Sequence, residues 1–124
     1  MRVLLVDDEE ELVSALAERL LMRDIDAEWF TTGTDALQRV EAGCFDLAVL
    51  DMKMPKISGL ALREKLLAKC PAMKFIFLTG YGSEQDFASA TTQVGTADYL
   101  VKPVDIEVLL GRMHELLDNE RGGA

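Results

Sequence analysis

Apolar residues along this chain fall into two alternating patterns. The first is a short unbroken run: VLLV (Val3 to Val6), LAVL (Leu47 to Leu50) and FIFL (Phe75 to Leu78). A strand with one wet face would alternate, so an unbroken run predicts a strand buried on both faces of a parallel sheet. Two weaker runs, AEWF (Ala27 to Phe30) and ADYLV (Ala97 to Val101), suit the sheet edges. The second pattern has the helix period. Leu12, Leu16 and Leu20 recur every four residues; Ala36, Leu37 and Val40 follow Gly33; Leu62, Leu66 and Leu67 follow Gly59; Phe87, Ala90 and Val94 follow Ser83. Ile106, Leu110, Met113 and Leu117 form a last stripe behind Asp105, a residue type suited to cap a helix N-terminus.

Strand and helix thus alternate five times. That order predicts an α/β fold, a doubly wound (βα)5 unit with right-handed crossovers and helices on both faces of a five-stranded parallel sheet. The expected organisation is one domain over residues 1–119, with 120–124 (ERGGA) a disordered tail or the stub of a tether. The 124 residues, 49% hydrophobic and 28% charged, are enough for one real core.

Charge and cysteine usage narrow the function classes. A formal net charge of -9 argues against nucleic-acid binding by this domain alone, since phosphate backbones call for Lys and Arg. It argues equally against an anionic membrane surface. Cys44 and Cys70 show no CxxC spacing, and His114 is the sole histidine, so a Cys/His metal site is not expected. The two cysteines read as inert free thiols suited to a reducing cytosol, and the expected location is cytoplasmic. Met1-Arg2 leads straight into VLLV and acid with no signal peptide pattern, and no apolar run reaches the ~20 residues of a membrane span.

Chemistry collects where the strands end. In an open parallel sheet, ligands bind beyond the carboxyl ends of the strands. The first predicted strand ends in Asp7-Asp8, the third in Asp51, the fourth in Thr79 and the fifth in Lys102. Taken singly, each has an ordinary reading: acids at a helix start, a strand-end aspartate ahead of Met54-Pro55, a Thr79-Gly80 turn, a solvated lysine. Taken together they place three carboxylates, a hydroxyl and an ammonium on one rim. Two unit charges about 4 Å apart cost about 4 kcal/mol at an effective dielectric of about 20, so either a carboxyl protonates or a cation relieves the repulsion. Magnesium is the usual hard cation beside phosphate. With it in place, Lys102 and Thr79 can neutralise and hydrogen-bond phosphoryl oxygens, and a carboxylate can act as nucleophile to form an acyl phosphate.

The strings VLLVDDEEEL, LAVLDMKMPKISGL, FIFLTGYGS and ADYLVKP resemble, in order and spacing, the successive signatures of response-regulator receiver domains of two-component signalling systems, and they cover essentially the whole chain. The resemblance implies a flavodoxin-like strand order 2-1-3-4-5. It implies Asp51 as phosphoacceptor, with Mg2+ held by Asp8, Asp51 and the backbone carbonyl of Lys53, and by Asp7 through water. Lys102 and Thr79 would contact the phosphoryl group, Thr79 and Tyr99 would form the conformational switch, and Pro103 would follow a cis peptide bond. Without the family, Tyr99 reads as edge-strand packing. Lys53 and Tyr81, two residues after Asp51 and Thr79, would tune the lifetime of the acyl phosphate. The donor would be a histidine kinase or phosphotransfer protein, and the output partner is not legible. The usual output face carries Asp86, Gln93, Asp98, Glu107 and Arg112; it allows, without requiring, a phosphorylation-dependent homodimer.

Three rival readings fit this sequence less well. A dehalogenase-superfamily phosphatase would need a general-acid Asp where this chain has Lys53. A flavodoxin-type electron carrier would need a hydroxyl- and glycine-rich loop where it has DDEEE. A degenerate receiver would lack one of the site residues, and all are present. The expected protein is therefore a signalling domain and not an enzyme.

Overall fold

A computed structural model describes residues 1–80 and 98–122. The helical pattern of Phe87, Ala90 and Val94 lies outside the described residues, as do Tyr81, Asp86 and Gln93. The elements are β1 (Arg2–Val6), α1 (Glu10–Leu21), β2 (Asp26–Phe30), α2 (Gly33–Val40), β3 (Leu47–Asp51), α3 (Gly59–Lys69), β4 (Lys74–Thr79), β5 (Asp98–Val101) and α4 (Ile106–Gly122). All strand pairs are parallel, in the order β2-β1-β3-β4-β5. The two weak runs are the edge strands, as their composition predicts.

The unbroken apolar runs have a direct cause. Successive side chains of a strand point to opposite faces, and here both faces are covered. Leu4, Val6, Ala48, Leu50, Phe75 and Phe77 pack against Ala36 and Val40 of α2 and Leu62 and Leu66 of α3. Val3, Leu5, Leu47, Val49, Ile76 and Leu78 pack against Val13, Leu16, Ala17 and Leu20 of α1 and Leu109 and Met113 of α4. Fully burying such a side chain is worth about 1.5–3 kcal/mol, so the central strands are strongly held in register. That rigidity fixes where their carboxyl ends lie.

Of the four described helices, three have a side chain that caps the start. Thr32 caps α2 by accepting from Asp35 N–H at 3.1 Å, and Ser58 caps α3 by accepting from Ala61 N–H at 3.1 Å. Asp105 Oδ1 accepts from Glu107 N–H at 2.8 Å and from Val108 N–H at 3.3 Å, capping α4. At α1 the N-cap position is Glu9, and its side chain does not cap.

One expectation is corrected. Cys44 and Cys70 are not free thiols: they form a disulfide, with their Cα atoms 5.8 Å apart, inside the range such a bridge requires. Cys44 precedes β3 and Cys70 is the C-cap of α3. A strand followed by a helix packed back over it returns the chain to its starting level, and this brings two residues 26 apart together.

Candidate functional site

The parallel register delivers the strand ends to one rim. Val6 pairs with Leu50, Asp51 with Leu78 and Thr79 with Val101, so Asp7, Asp51, Thr79 and Lys102 stand at adjacent strand ends. Carboxylate oxygens of Asp7, Asp8 and Asp51 all lie within 4.8 Å of one another. Asp7 and Asp51 are buried, at 1% and 4% exposure, and Asp8 is exposed. Asp8 also lines a cleft between the β2–α2 and β3–α3 loops with Thr31, Thr32 and Lys56.

Lys102 is not a solvated lysine. Its side chain is 13% exposed, and Nζ lies 2.9 Å from Glu9 Oε1, 3.0 Å from Asp7 Oδ2 and 3.4 Å from Asp51 Oδ1. The backbone fixes it there, since Lys102 N–H donates to the Thr79 carbonyl at 2.8 Å. Burial alone would lower its pKa, but hydrogen bonds to Glu9 and Asp7 and the charge of Asp51 outweigh it and raise the value above the ordinary lysine range. Asp51 moves the other way from a normal carboxyl: burial, then the charge of Asp7, push it up to about 7 against the pull of Lys102. Even with its lysine in place, then, the cluster is short of positive charge.

The remaining residues fall around this centre. Asp51 Oδ1 accepts from Lys53 N–H at 3.4 Å, so the Lys53 backbone lies beside the phosphoacceptor candidate. The Thr79 side chain is buried and donates to the Leu100 carbonyl at 3.5 Å. Tyr99 stacks on Phe77, ring centroids 5.3 Å apart and planes 18° apart, packed against the α2–α3 side of the core. The Lys102-Pro103 bond is cis. Gly59, at the start of α3, lies against the backbone of Asp51 and Met52, and its N–H donates to the Met52 carbonyl at 3.0 Å. Met52 is buried core, Met54 is partly buried beside it, and His114 is exposed.

Sequence reasoning missed Glu9. It reads there as an acid at a helix start, yet its backbone N–H donates to Asp7 Oδ1 at 2.9 Å while its side chain reaches Lys102. The only sequence signal is its place directly after Asp7-Asp8 in the DDEEE string.

The residues fit a hard divalent cation. Three carboxylates converge, Asp51 resists ionisation, and the Lys102 ammonium beside them is shared with Glu9. An all-oxygen donor set with one exposed member suits magnesium, which keeps several of its waters.

This rim on this sheet defines a class of protein, and comparison with known sequences and structures agrees. The sequence model of the response regulator receiver domain matches residues 3–114, and the chain belongs to that family. Over 122 residues it is 31% identical to the transcriptional regulatory protein RprY of Bacteroides fragilis, spanning 98% of this chain and 51% of that one. Over 123 residues it is 30% identical to the transcriptional regulatory protein PcoR of Escherichia coli, spanning 99% and 54%. The chain thus spans about half the length of these curated relatives. Among solved structures it is similar to a CheY-like receiver domain protein from Methanospirillum hungatei, with a TM-score of 0.87 and 31% identity over 99% of this chain and 98% of that one. It is also similar to the response regulator TrrA of Thermotoga maritima in complex with Mg(2+)-BeF, with a TM-score of 0.78 and 30% identity over 93% and 97%. The chain is a phosphoacceptor signalling domain, a receiver of two-component systems.

Proposed function

We propose that Asp51 is the residue that takes the phosphoryl group, attacking through a carboxylate oxygen to form an acyl phosphate. The observation that carries this is the convergence of Asp7, Asp8, Asp51 and Lys102 at one rim, with Asp7 and Asp51 buried. Asp8 and Asp51, with the Lys53 carbonyl, would hold Mg2+, and Asp7 would act through water. When bound, the ion supplies positive charge where Asp51 and the incoming phosphoryl oxygens repel one another. Lys102 binds a phosphoryl oxygen, and Thr79, beside it on β4, donates its hydroxyl. Tyr99 responds to the Thr79 movement from its place over Phe77.

Lys53 and Tyr81 screen the acyl phosphate from water, and Lys53→Ala and Tyr81→Ala should each shorten its lifetime. The donor is a histidine kinase or phosphotransfer protein, and the output is a further domain or a separate partner; the domain catalyses only its own phosphorylation and dephosphorylation. Its place is the cytoplasm, where the Cys44–Cys70 bond faces a reducing thiol pool.

The test is incubation with magnesium and acetyl phosphate, read by intact mass. Wild type should gain one phosphoryl group and Asp51→Asn none. Failure of wild type to label, or equal labelling of Asp51→Asn, would overturn the reading.

A further inference from the structure

The Lys102 ammonium has three N–H donors, and three carboxylates surround it. Glu9 is unlike the other two. Asp7 and Asp51 are buried members of the acidic cluster, whereas the Glu9 side chain is 60% exposed and lies outside that cluster. Its main chain is nonetheless pinned. Glu9 N–H donates to Asp7 Oδ1 at 2.9 Å, and the Glu9 carbonyl accepts from Val13 N–H at 3.0 Å. Both ends of the Glu9–Lys102 pair therefore start from fixed backbone.

We propose that Glu9 is a positioning residue for phosphoryl transfer: a latch on Lys102 that the arriving phosphoryl group must displace. The proposal rests on the reading of Lys102 as a phosphoryl contact. In the transfer itself the bond from phosphorus to the donor's leaving atom breaks (an imidazole nitrogen of a phosphohistidine, a carboxylate oxygen of acetyl phosphate), a bond from an Asp51 oxygen to phosphorus forms, and the leaving group (the histidine side chain, or acetate) departs. Glu9 takes no part in those bonds.

It acts through the lysine. With three carboxylates within 3.4 Å of its Nζ, Lys102 must give up one of these contacts to meet a phosphoryl oxygen. Releasing Asp7 would leave a buried carboxylate unpaired, which is costly. Releasing Glu9 is cheap, because water takes over at an exposed carboxylate. Glu9 is therefore the contact that opens, and its hold on Lys102 slows capture of the phosphoryl group.

The experiment compares phosphorylation rates with acetyl phosphate at saturating magnesium for wild type, Glu9→Gln, Glu9→Asp and Glu11→Gln. Glu9→Gln and Glu9→Asp should both be faster by about two- to fivefold, the range of one exposed ion pair. Glu9→Asp belongs with Glu9→Gln because it keeps the charge but is one methylene shorter. The advantage should shrink at about 1 M salt, where screening already loosens the wild-type pair. Glu11→Gln, which removes the same charge from the first turn of α1, should change the rate less.

In metal-free protein, Lys102 should also become more reactive towards an amine-acetylating reagent in both Glu9 variants, read by peptide mass spectrometry. Rates equal to wild type in both Glu9 variants overturn the latch. So does Glu9→Asp matching wild type while Glu9→Gln is faster, since that is an effect of charge alone. Lys102→Ala separates the two levels. If it is phosphorylated as fast as wild type, the underlying role of Lys102 fails. If it is slow while the Glu9 variants are unchanged, only the latch fails.

Discussion

Gly59 stands so close to Asp51 that a Cβ built on it would lie 2.5 Å from the Asp51 backbone carbonyl oxygen. The obstacle is main chain, at the end of a strand paired on both sides, and it cannot step aside. Gly59→Ala should therefore destabilise the domain by about 1–3 kcal/mol, the usual cost of forcing extra volume into a packed site. It should also slow labelling of Asp51. Gly33 offers the control: a Cβ there would stand 2.6 Å from Ile57 Cγ2, the end of a partly buried side chain that can turn. Denaturant titration should find Gly33→Ala the milder change; equal losses would refute the distinction.

The raised Asp51 pKa gives metal-free protein a pH signature. Its carboxyl titrates near 3.8 when unfolded and about 7 when folded, so between those values the folded state binds more protons, and stability falls as pH rises through this window. The raised Lys102 value acts only above the ordinary lysine range and does not offset the loss. Wild type without metal should melt lower at pH 8 than at pH 5.5, and Asp51→Asn should melt higher than wild type at pH 8. Magnesium should raise the wild-type melting temperature more at pH 8 than at pH 5.5, since the metal needs the ionised carboxylate. A metal-free wild type as stable as Asp51→Asn at pH 8 would contradict this account.

Reduction of Cys44–Cys70 releases a 26-residue closure. Loop entropy puts that at about 3.5 kcal/mol, or roughly 10 °C in melting temperature for a domain of this size. Calorimetry with and without a dithiol reductant measures it, and the double variant Cys44→Ala, Cys70→Ala should melt near the reduced protein. Identical melting in both redox states would show that the bond does not hold the fold.

The Ser58 cap connects local sequence to the site, because α3 begins where the β3–α3 loop ends. Ser58→Ala leaves Ala61 N–H without its partner and should cost about 1 kcal/mol. Ser58→Asp should restore it, aided by the helix dipole. Urea midpoints of the two variants decide the matter.

What could be read from the sequence follows from how each feature is encoded. The sheet was legible because Val3 to Val6, Leu47 to Leu50 and Phe75 to Leu78 serve two covered faces at once, a demand written into every position of each run. The rim was legible because strand ends in such a sheet converge, so Asp7, Asp51, Thr79 and Lys102 could be grouped without any contact being known. Pairings between distant side chains have no such local mark. Glu9 meets Lys102 across 93 positions, and Cys44 meets Cys70 with no motif to announce it. In α1 the four-residue recurrence of Leu12, Leu16 and Leu20 found the helix but not its full inner face, which is Val13, Leu16, Ala17 and Leu20. Each depends on how finished elements pack.

The disulfide also changes what kind of object Asp51 sits on. The covalent circuit closed by Cys44 and Cys70 contains β3, Asp51, the loop after it and all of α3. A protease cut anywhere between the two cysteines would leave the oxidised chain as one molecule, while the same cut in the reduced chain would yield two pieces. The stretch that carries Asp51 is thus the part of the chain that can lose a peptide bond and still be covalently whole.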